Sequence, residues 1–327
     1  MIVSNDTINM KPPYKITNKI LNLIAIISER IGEVNSAHLH KPPTELRKKN
    51  RVRTIQSSLE IEGNTLTIEQ ITAIIENKRI IGPKKDIIEV KNAISVYDKF
   101  DEFVSYSISS FCKAHAILMD GLIKSPGRFR SKSVGIVKGS DIAHIAPQGE
   151  MINPLMNDLF DYLKHDDDLI LIKSCVFHYE LEFIHPFLDG NGRMGRLWQT
   201  LILKNKYPVF EFLPIETLIK ERQTEYYNVL GISDKKGTST LFIEFMLEII
   251  KESLEELLKT QNIALTNLDR INMYKSIIKN DFFTRKEYLR NFKEISPATA
   301  SRDLKFAVEN NIIKKFGDKN TTKYRFV

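Results

Sequence analysis

Nine stretches of this 327-residue chain repeat apolar residues at the three-and-four spacing of a helix face. They run from YKITNKILNLIAIISERIGEV at 14–34, through 67–80, 87–100, 108–123, 152–165, 169–184, 195–206 and 220–230, to LFIEFMLEIIKESLEELLKTQ at 241–261. A strand facing a core alternates every second residue, so this period restricts the body to a mainly α fold. One stretch departs from it. In RSKSVGIVKGSDIAHI, 130–145, β-branched residues flank Lys138-Gly139-Ser140-Asp141, which predicts a short β-hairpin between helices. Neither an internal repeat nor a low-complexity tract interrupts the pattern.

With 42% hydrophobic and 27% charged residues, the chain has an ordinary soluble composition and enough apolar mass for a sizeable core, in one large domain or two. Cys112 and Cys175 are too few for a disulfide framework and read as inert core thiols. The start MIVSNDTINMKPPYK lacks the basic and apolar regions of a signal peptide, and the apolar run near residue 170 is broken by Lys173. The expectation is a cytoplasmic protein with no membrane partner. Charge divides the chain, because residues 271–327 hold 13 Lys and Arg against 6 Asp and Glu, a balance of +7 that equals the net charge of the whole protein. That predicts a separate basic C-terminal module suited to a polyanion, reached through the long helix that starts near 241.

The densest chemistry lies in IHPFLDGNGRMGRLW, 184–198. Helical sequence on both sides makes 185–192 a tight loop feeding a helix N-terminus. Gly190 and Gly192 permit positive φ and close approach by a ligand, and successive N–H groups through Asn191 form a concave anion site. Arg193 and Arg196, one turn apart, can reach a polyphosphate with paired donors. Asp189 offers a hard oxygen to Mg²⁺, which phosphate chemistry recruits with one or two carboxylates. His185 stands where it can take a proton from an attacking hydroxyl. Together these groups describe phosphoryl or nucleotidyl transfer, although each alone also fits a common turn, a solvated helix face or a satisfied polar histidine.

His185, Phe187, Asp189, Gly190, Asn191, Gly192, Arg193 and Arg196 match HxFx(D/E)GNGRxxR at every position, and in this the sequence resembles the Fic family. The resemblance implies a protein adenylyltransferase that moves AMP from ATP to a Ser, Thr or Tyr hydroxyl of a target protein. By position it implies His185 as general base, Asp189 as ligand of Mg²⁺, the Gly190-Asn191-Gly192 backbone as anion cradle, Arg193 and Arg196 as phosphate clamps, and Phe187 as a core anchor. A P-loop is excluded, since GxxxxGK[ST] occurs nowhere. GRFRSKSVGIVKGSDIAHIAP, 127–147, is similar to the family's G-x-[YF]-R … V-x-I-x-G segment, and its hairpin, with Val134, Gly135, Ile136 and Val137, would be a flap offering its edge to the target chain. Ala146 precedes Pro147 where many members have two prolines. RQTEYYNVL resembles the family's YYxxL segment and implies Tyr226 and Tyr227 near the adenine, though aromatics at this spacing are as often core.

Far upstream, SSLEIEGNTLT, 57–67, reads by itself as the end of one helix, with Thr65 or Thr67 capping the next. It also matches the family's inhibitory pattern [S/T]xxxE[G/N] at Ser58, Glu62 and Gly63. That implies the N-terminally auto-inhibited class, with Glu62 pairing Arg196 and keeping the γ-phosphate of ATP from docking productively. The basic end predicts three short helices and two strands, a winged helix-turn-helix outline in which Thr299, Ser301, Arg302 and Lys305 could face a DNA major groove. The expected organisation is an N-terminal helical region with the inhibitory motif (1–95), a Fic core (96–240), a connecting helix (241–265) and a winged helix-like domain (266–327). Two functions stay open: an ATP- and Mg²⁺-dependent adenylyltransferase, or a DNA-binding regulator with a nucleotide-sensing core. Transfer or removal of another phosphate-containing group, and a homodimer, stay open beside them.

Overall fold

The computed structural model describes residues 11–36, 42–132, 135–138, 141–259, 266–278, 281–292, 295–318 and 321–327, with backbone alone at 135–138, 141–145 and 276. Thr17 Oγ1 accepts the Ile20 N–H and so caps α1 (Asn18–Ser36), whose Ile20, Leu23, Ile27, Ile31 and Val34 form one buried stripe. α2 (Thr44–Glu60) hides from the periodicity because its buried residues include Asn50, Thr54, Ser57 and Ser58. A capping box between Thr67 and Gln70 opens α3 (Ile68–Ile75), and α4 (Lys84–Asp98) and α5 (Ile108–Leu118) follow. The hairpin pairs β1 (Gly135–Lys138) antiparallel with β2 (Asp141–Ile145), Gly135 opposite Ile145 and Lys138 opposite Asp141. Gly135, Ile136 and Val137 thus lie on β1, whereas Val134 falls outside the described residues.

The body continues through α6 (Ile152–His165), α7 (Ile170–Ile184), α8 (Asn191–Lys206), α9 (Ile215–Glu221), α10 (Gln223–Lys236) and α11 (Thr240–Lys259). α7 and α8 are buried almost all round, so they pack on each other at the centre of the helical core. α11 does more than lead to the basic end. Its Phe242, Met246, Ile250 and Leu257 belong to the main core, against α1 and α7. Cys175 is buried and Cys112 half-buried, and burial pushes both thiols up, to about 12 and about 11, which leaves them protonated and unreactive.

After residue 265 the chain builds α12 (Asn267–Ile278), α13 (Arg285–Asn291), α14 (Pro297–Glu309), β3 (Ile313–Phe316) and β4 (Lys323–Phe326). Ser296 caps α14 and Pro297 occupies its first turn, as a fixed φ favours. A second core gathers Tyr274, Phe283, Tyr288, Leu304, Ile313 and Phe326, and Phe283 bridges to Tyr324 beside the β3–β4 pair. Asp269 ties this end to the body. Its Oδ2 accepts from Thr266 at the start of α12, while Oδ1 accepts the Thr44 N–H at 2.9 Å and the Thr44 hydroxyl at 2.7 Å, supplying the cap that Pro43 denies α2. The fold class is the expected one, mainly α with a short hairpin and a C-terminal winged helix-turn-helix. No helix among the described residues is long and apolar enough to cross a membrane.

Candidate active site

α7 stops with its apolar run at Ile184, and His185 adopts the left-handed conformation, φ 51° and ψ 58°. A histidine there is strained, since its Cβ crowds the following carbonyl. Asn191 closes the loop beyond it: its Oδ1 accepts the Phe187 N–H and its Nδ2 donates to Phe187 O, each at 2.9 Å. Phe187 is fully buried, with the His115 ring stacked on it at 3.5 Å between centroids. His115 Nδ1 accepts the Gly127 N–H at 2.8 Å, which leaves Nε2 to donate to Asp189 O at 2.9 Å. Burial pushes the His115 pKa down to about 4, so the ring is neutral at pH 7. Gly190, with φ 86°, then turns the chain into α8.

Arg196 is 2% exposed and is held by α2. Its Nε donates to Ser58 Oγ at 3.1 Å, and its Nη2 donates to Ser58 O at 2.9 Å and to Glu62 Oε1 at 2.8 Å. Burial by itself would lower the guanidinium pKa, but the Glu62 carboxylate more than offsets this and holds it raised. Glu62 stands where α2 ends: Gly63, φ 90°, turns the chain, and the Gly63 and Asn64 N–H groups bond back to Glu60 O and Leu59 O at 2.9 and 3.1 Å. A carboxylate at a helix C-terminus opposes the helix dipole, and Arg196 compensates it. A Cβ on Gly192 would lie 2.5 Å from Glu62 Oε1. The carboxylate therefore rests over the first turn of α8, where backbone N–H groups attract anions. SSLEIEGN thus both ends α2 and brings Glu62 against Arg196.

A cavity of about 520 Å³ opens beside this pair, lined by Glu62, His185, Asp189, Arg196, Tyr226 and Tyr227 among others, including Gly190, Asn191 and Gly192. Its size suits a small-molecule ligand. Arg193 is not among the residues that line it. Its Nη1 donates to Glu89 Oε1 at 3.1 Å and its Nη2 to Asp189 Oδ1 at 3.0 Å. Residues three apart differ by about 60° around a helix. That is enough for Glu89 of α4 to hold the first arginine while α2 holds the second. Tyr226 is 1% exposed, and its hydroxyl donates to His178 Nε2 at 3.0 Å, while His178 Nδ1 donates to Gln199 Oε1 at 2.7 Å. Tyr226 is thus core and cavity wall together, and half-buried Tyr227 extends the wall.

Glu182 lines the same cavity and was not singled out from sequence, since an acid near a helix end ordinarily faces solvent. Burial, reinforced by the charge of Glu62 and opposed by that of Arg196, pushes it up to about 7. Asp189 keeps half its side chain exposed, and its Oδ1 accepts the Gly190 N–H at 2.6 Å. No cluster of three His, Cys, Asp or Glu fit to hold a metal occurs among the described residues. A lone carboxylate at the cavity mouth suits Mg²⁺ bound chiefly through phosphates and water.

Residues 105–203 match the family model for the Fic/DOC family. Among curated proteins, the Protein adenylyltransferase Fic of Nematostella vectensis is 31% identical over 225 residues, which are 64% of this chain and 49% of that protein. The chain thus spans about half the length of the curated relatives it matches. The crystal structure of a Fic domain containing signaling protein from Bacteroides thetaiotaomicron shares the fold at 19% identity and a TM-score of 0.60, over 75% of this chain and 97% of that one. The crystal structure of a Fic family protein from Desulfovibrio desulfuricans superposes with a TM-score of 0.75 at 39% identity, covering 97% of this chain and 98% of that one. With likeness of that degree running almost end to end, and every position of HxFx(D/E)GNGRxxR filled, the chain belongs to the Fic family.

Proposed function

We propose that this protein is an adenylyltransferase that moves AMP from ATP to a hydroxyl of a target protein and is held in check by Glu62. The observation that carries this reading is the convergence of His185, Asp189, Arg196 and Glu62 on one cavity at the N-terminus of α8. The triphosphate would lie over that N-terminus, with the nucleoside against Tyr226 and Tyr227. His185 takes the proton of the incoming hydroxyl as its oxygen attacks the α-phosphorus. The bond to the bridging oxygen breaks and pyrophosphate leaves. Asp189, oriented by Arg193, would hold Mg²⁺, which when bound offsets the charge of the α- and β-phosphates. Arg196 is the group for the γ-phosphate. Glu62 both occupies Arg196 and covers the cradle at Gly192, so a bound ATP would sit with its α-phosphate out of line.

The test is incubation with ATP labelled on the α-phosphate, followed by detection of label on protein. Glu62→Gly removes a contact to charge of about 1.5–3 kcal/mol and should raise incorporation roughly tenfold to a hundredfold. His185→Ala in that background should lose incorporation and keep ATP binding. Absence of covalent label from the Glu62→Gly variant would leave the nucleotide-sensing regulator as the better reading. A second role is favoured at the other end of the chain, where α14 leaves Arg302 and Lys305 exposed on the basic module. We infer that this face contacts duplex DNA through phosphates, which predicts a gel-shift signal that falls steeply with salt.

A further inference from the structure

Arg130 carries no role in the chemistry above, yet it is 4% exposed and lies between the hairpin and the loop of the base. Its Nε donates to His185 O at 2.7 Å, its Nη2 to Ile184 O at 3.2 Å and to Pro147 O at 2.7 Å, and its Nη1 to Lys132 O at 2.7 Å. Its own N–H donates to Pro186 O at 2.8 Å. All of these acceptors are backbone carbonyls, drawn from three places: the segment entering the hairpin, the segment leaving it, and the end of α7. A buried guanidinium so placed fixes relative position rather than neutralising an acid, and its rigid fork is what a flexible ammonium cannot reproduce.

The strain in the loop says what this fixing is for. His185 is the one non-glycine residue at positive φ in the site, a conformation uncommon outside glycine, and the described chain has only two others, Asn77 and Asn311. Strain of this kind persists only where the surroundings over-determine it. Arg130 bonds the carbonyls of His185 and of the residues before and after it, while His115 holds Asp189 O further along the loop. Gly149 brings the two legs together, because a Cβ there would lie 2.0 Å from Ser131 O.

Building on the adenylyltransferase reading, we infer that Arg130 is a positioning residue: it locks His185 in its left-handed turn and both legs of the hairpin in one register, so that a hydroxyl carried along the hairpin edge arrives at the base. Arg130 does not itself line the cavity and meets its lining at the His185 carbonyl, beside the base, so its effect falls on transfer and spares ATP binding.

The test uses the full chain with Glu62→Gly as the parent. Arg130→Lys should keep the affinity for ATP, measured by calorimetry, within about twofold, slow transfer of labelled AMP at least about tenfold, and shift the His185 imidazole resonance and its titration midpoint in NMR. Transfer at the parental rate, or a loss matched by an equal loss of ATP affinity, overturns the inference. Where Arg130→Lys fails to fold, Gly149→Ala decides: it leaves Arg130 in place and forces the legs apart, and it must show the same split between transfer and ATP affinity. Unchanged transfer in that variant overturns the inference. A parent that transfers no label would refute the proposed activity and leave this inference to the resonance, which supports it by moving in Arg130→Lys and overturns it by staying fixed.

Discussion

Arg196 is where the two separated motifs meet, and the way its bonds divide sets a sharp test. It binds Ser58 twice and Glu62 once, so removing Glu62 leaves the guanidinium anchored and open to a phosphate. Activation by Glu62→Gly should therefore require the arginine. Combining Glu62→Gly with Arg196→Ala should forfeit most of the gain, a non-additivity expected where two residues share one interaction. Auto-modification measured for wild type, both single variants and the double variant checks it, and equal activation with and without Arg196 would refute the inhibition model. The residues of the loop were legible in sequence because a turn, a helix start and two neighbouring arginines depend on contacts a few positions apart. The places of Glu89, His115 and Glu182 were not, since what gives each its place is a group far along the chain, as with Glu89 and Arg193 at 104 positions' separation.

Close contact between α7 and α8 positions the whole site, and one glycine permits it. A Cβ on Gly195 would lie 2.7 Å from His178 Cδ2, inside the buried network of His178, Gln199 and Tyr226. Gly195→Ala should force the helices apart and cost about 1–3 kcal/mol, visible as a lower melting temperature, with ATP affinity falling as Tyr226 shifts. An unchanged melting temperature would mean that the network relaxes without strain. Elements with a clean apolar period were legible, α1, α6 and α11 among them. α2 was not, because it buries Asn50, Thr54, Ser57 and Ser58 and so breaks the period that marks a helix face. The helix expected over 220–230 is two, since α9 ends at Glu221 and α10 begins at Gln223.

Across the whole molecule, burial of ionisable groups sets two opposed dependences on pH. Glu180, Glu182 and Glu216 are pushed from 4.5 up to about 7 by burial. A carboxyl raised in the fold contributes stability that is complete below its unfolded pKa and is lost as pH rises through its folded one. His115 and His178 are pushed from 6.5 down to about 4 and about 3, so their contribution is complete above 6.5 and is lost as pH falls toward those values. Of these five groups only the carboxyls still change between pH 6.5 and 8. Glu216 is 1% exposed and lies away from the cavity, so Glu216→Gln isolates one of them. Its melting temperature should fall less between pH 6.5 and 8 than that of the wild type, and parallel profiles would show that Glu216 carries no such linkage.

The sequence by itself determined the mainly helical body, the loop at 185–192, the hairpin and the outline of the basic end. Each of these is written in spacing, turn residues and caps whose interactions stay within a few positions. Only the tertiary structure decided which arginine faces the cavity, that a carboxylate lies over the cradle at Gly192, and that Asp269 of the basic end caps α2. An apolar stripe states which face of a helix is buried but not which helix covers it. The partners of buried charges are chosen by that second step, the packing of α2 and α4 against α8.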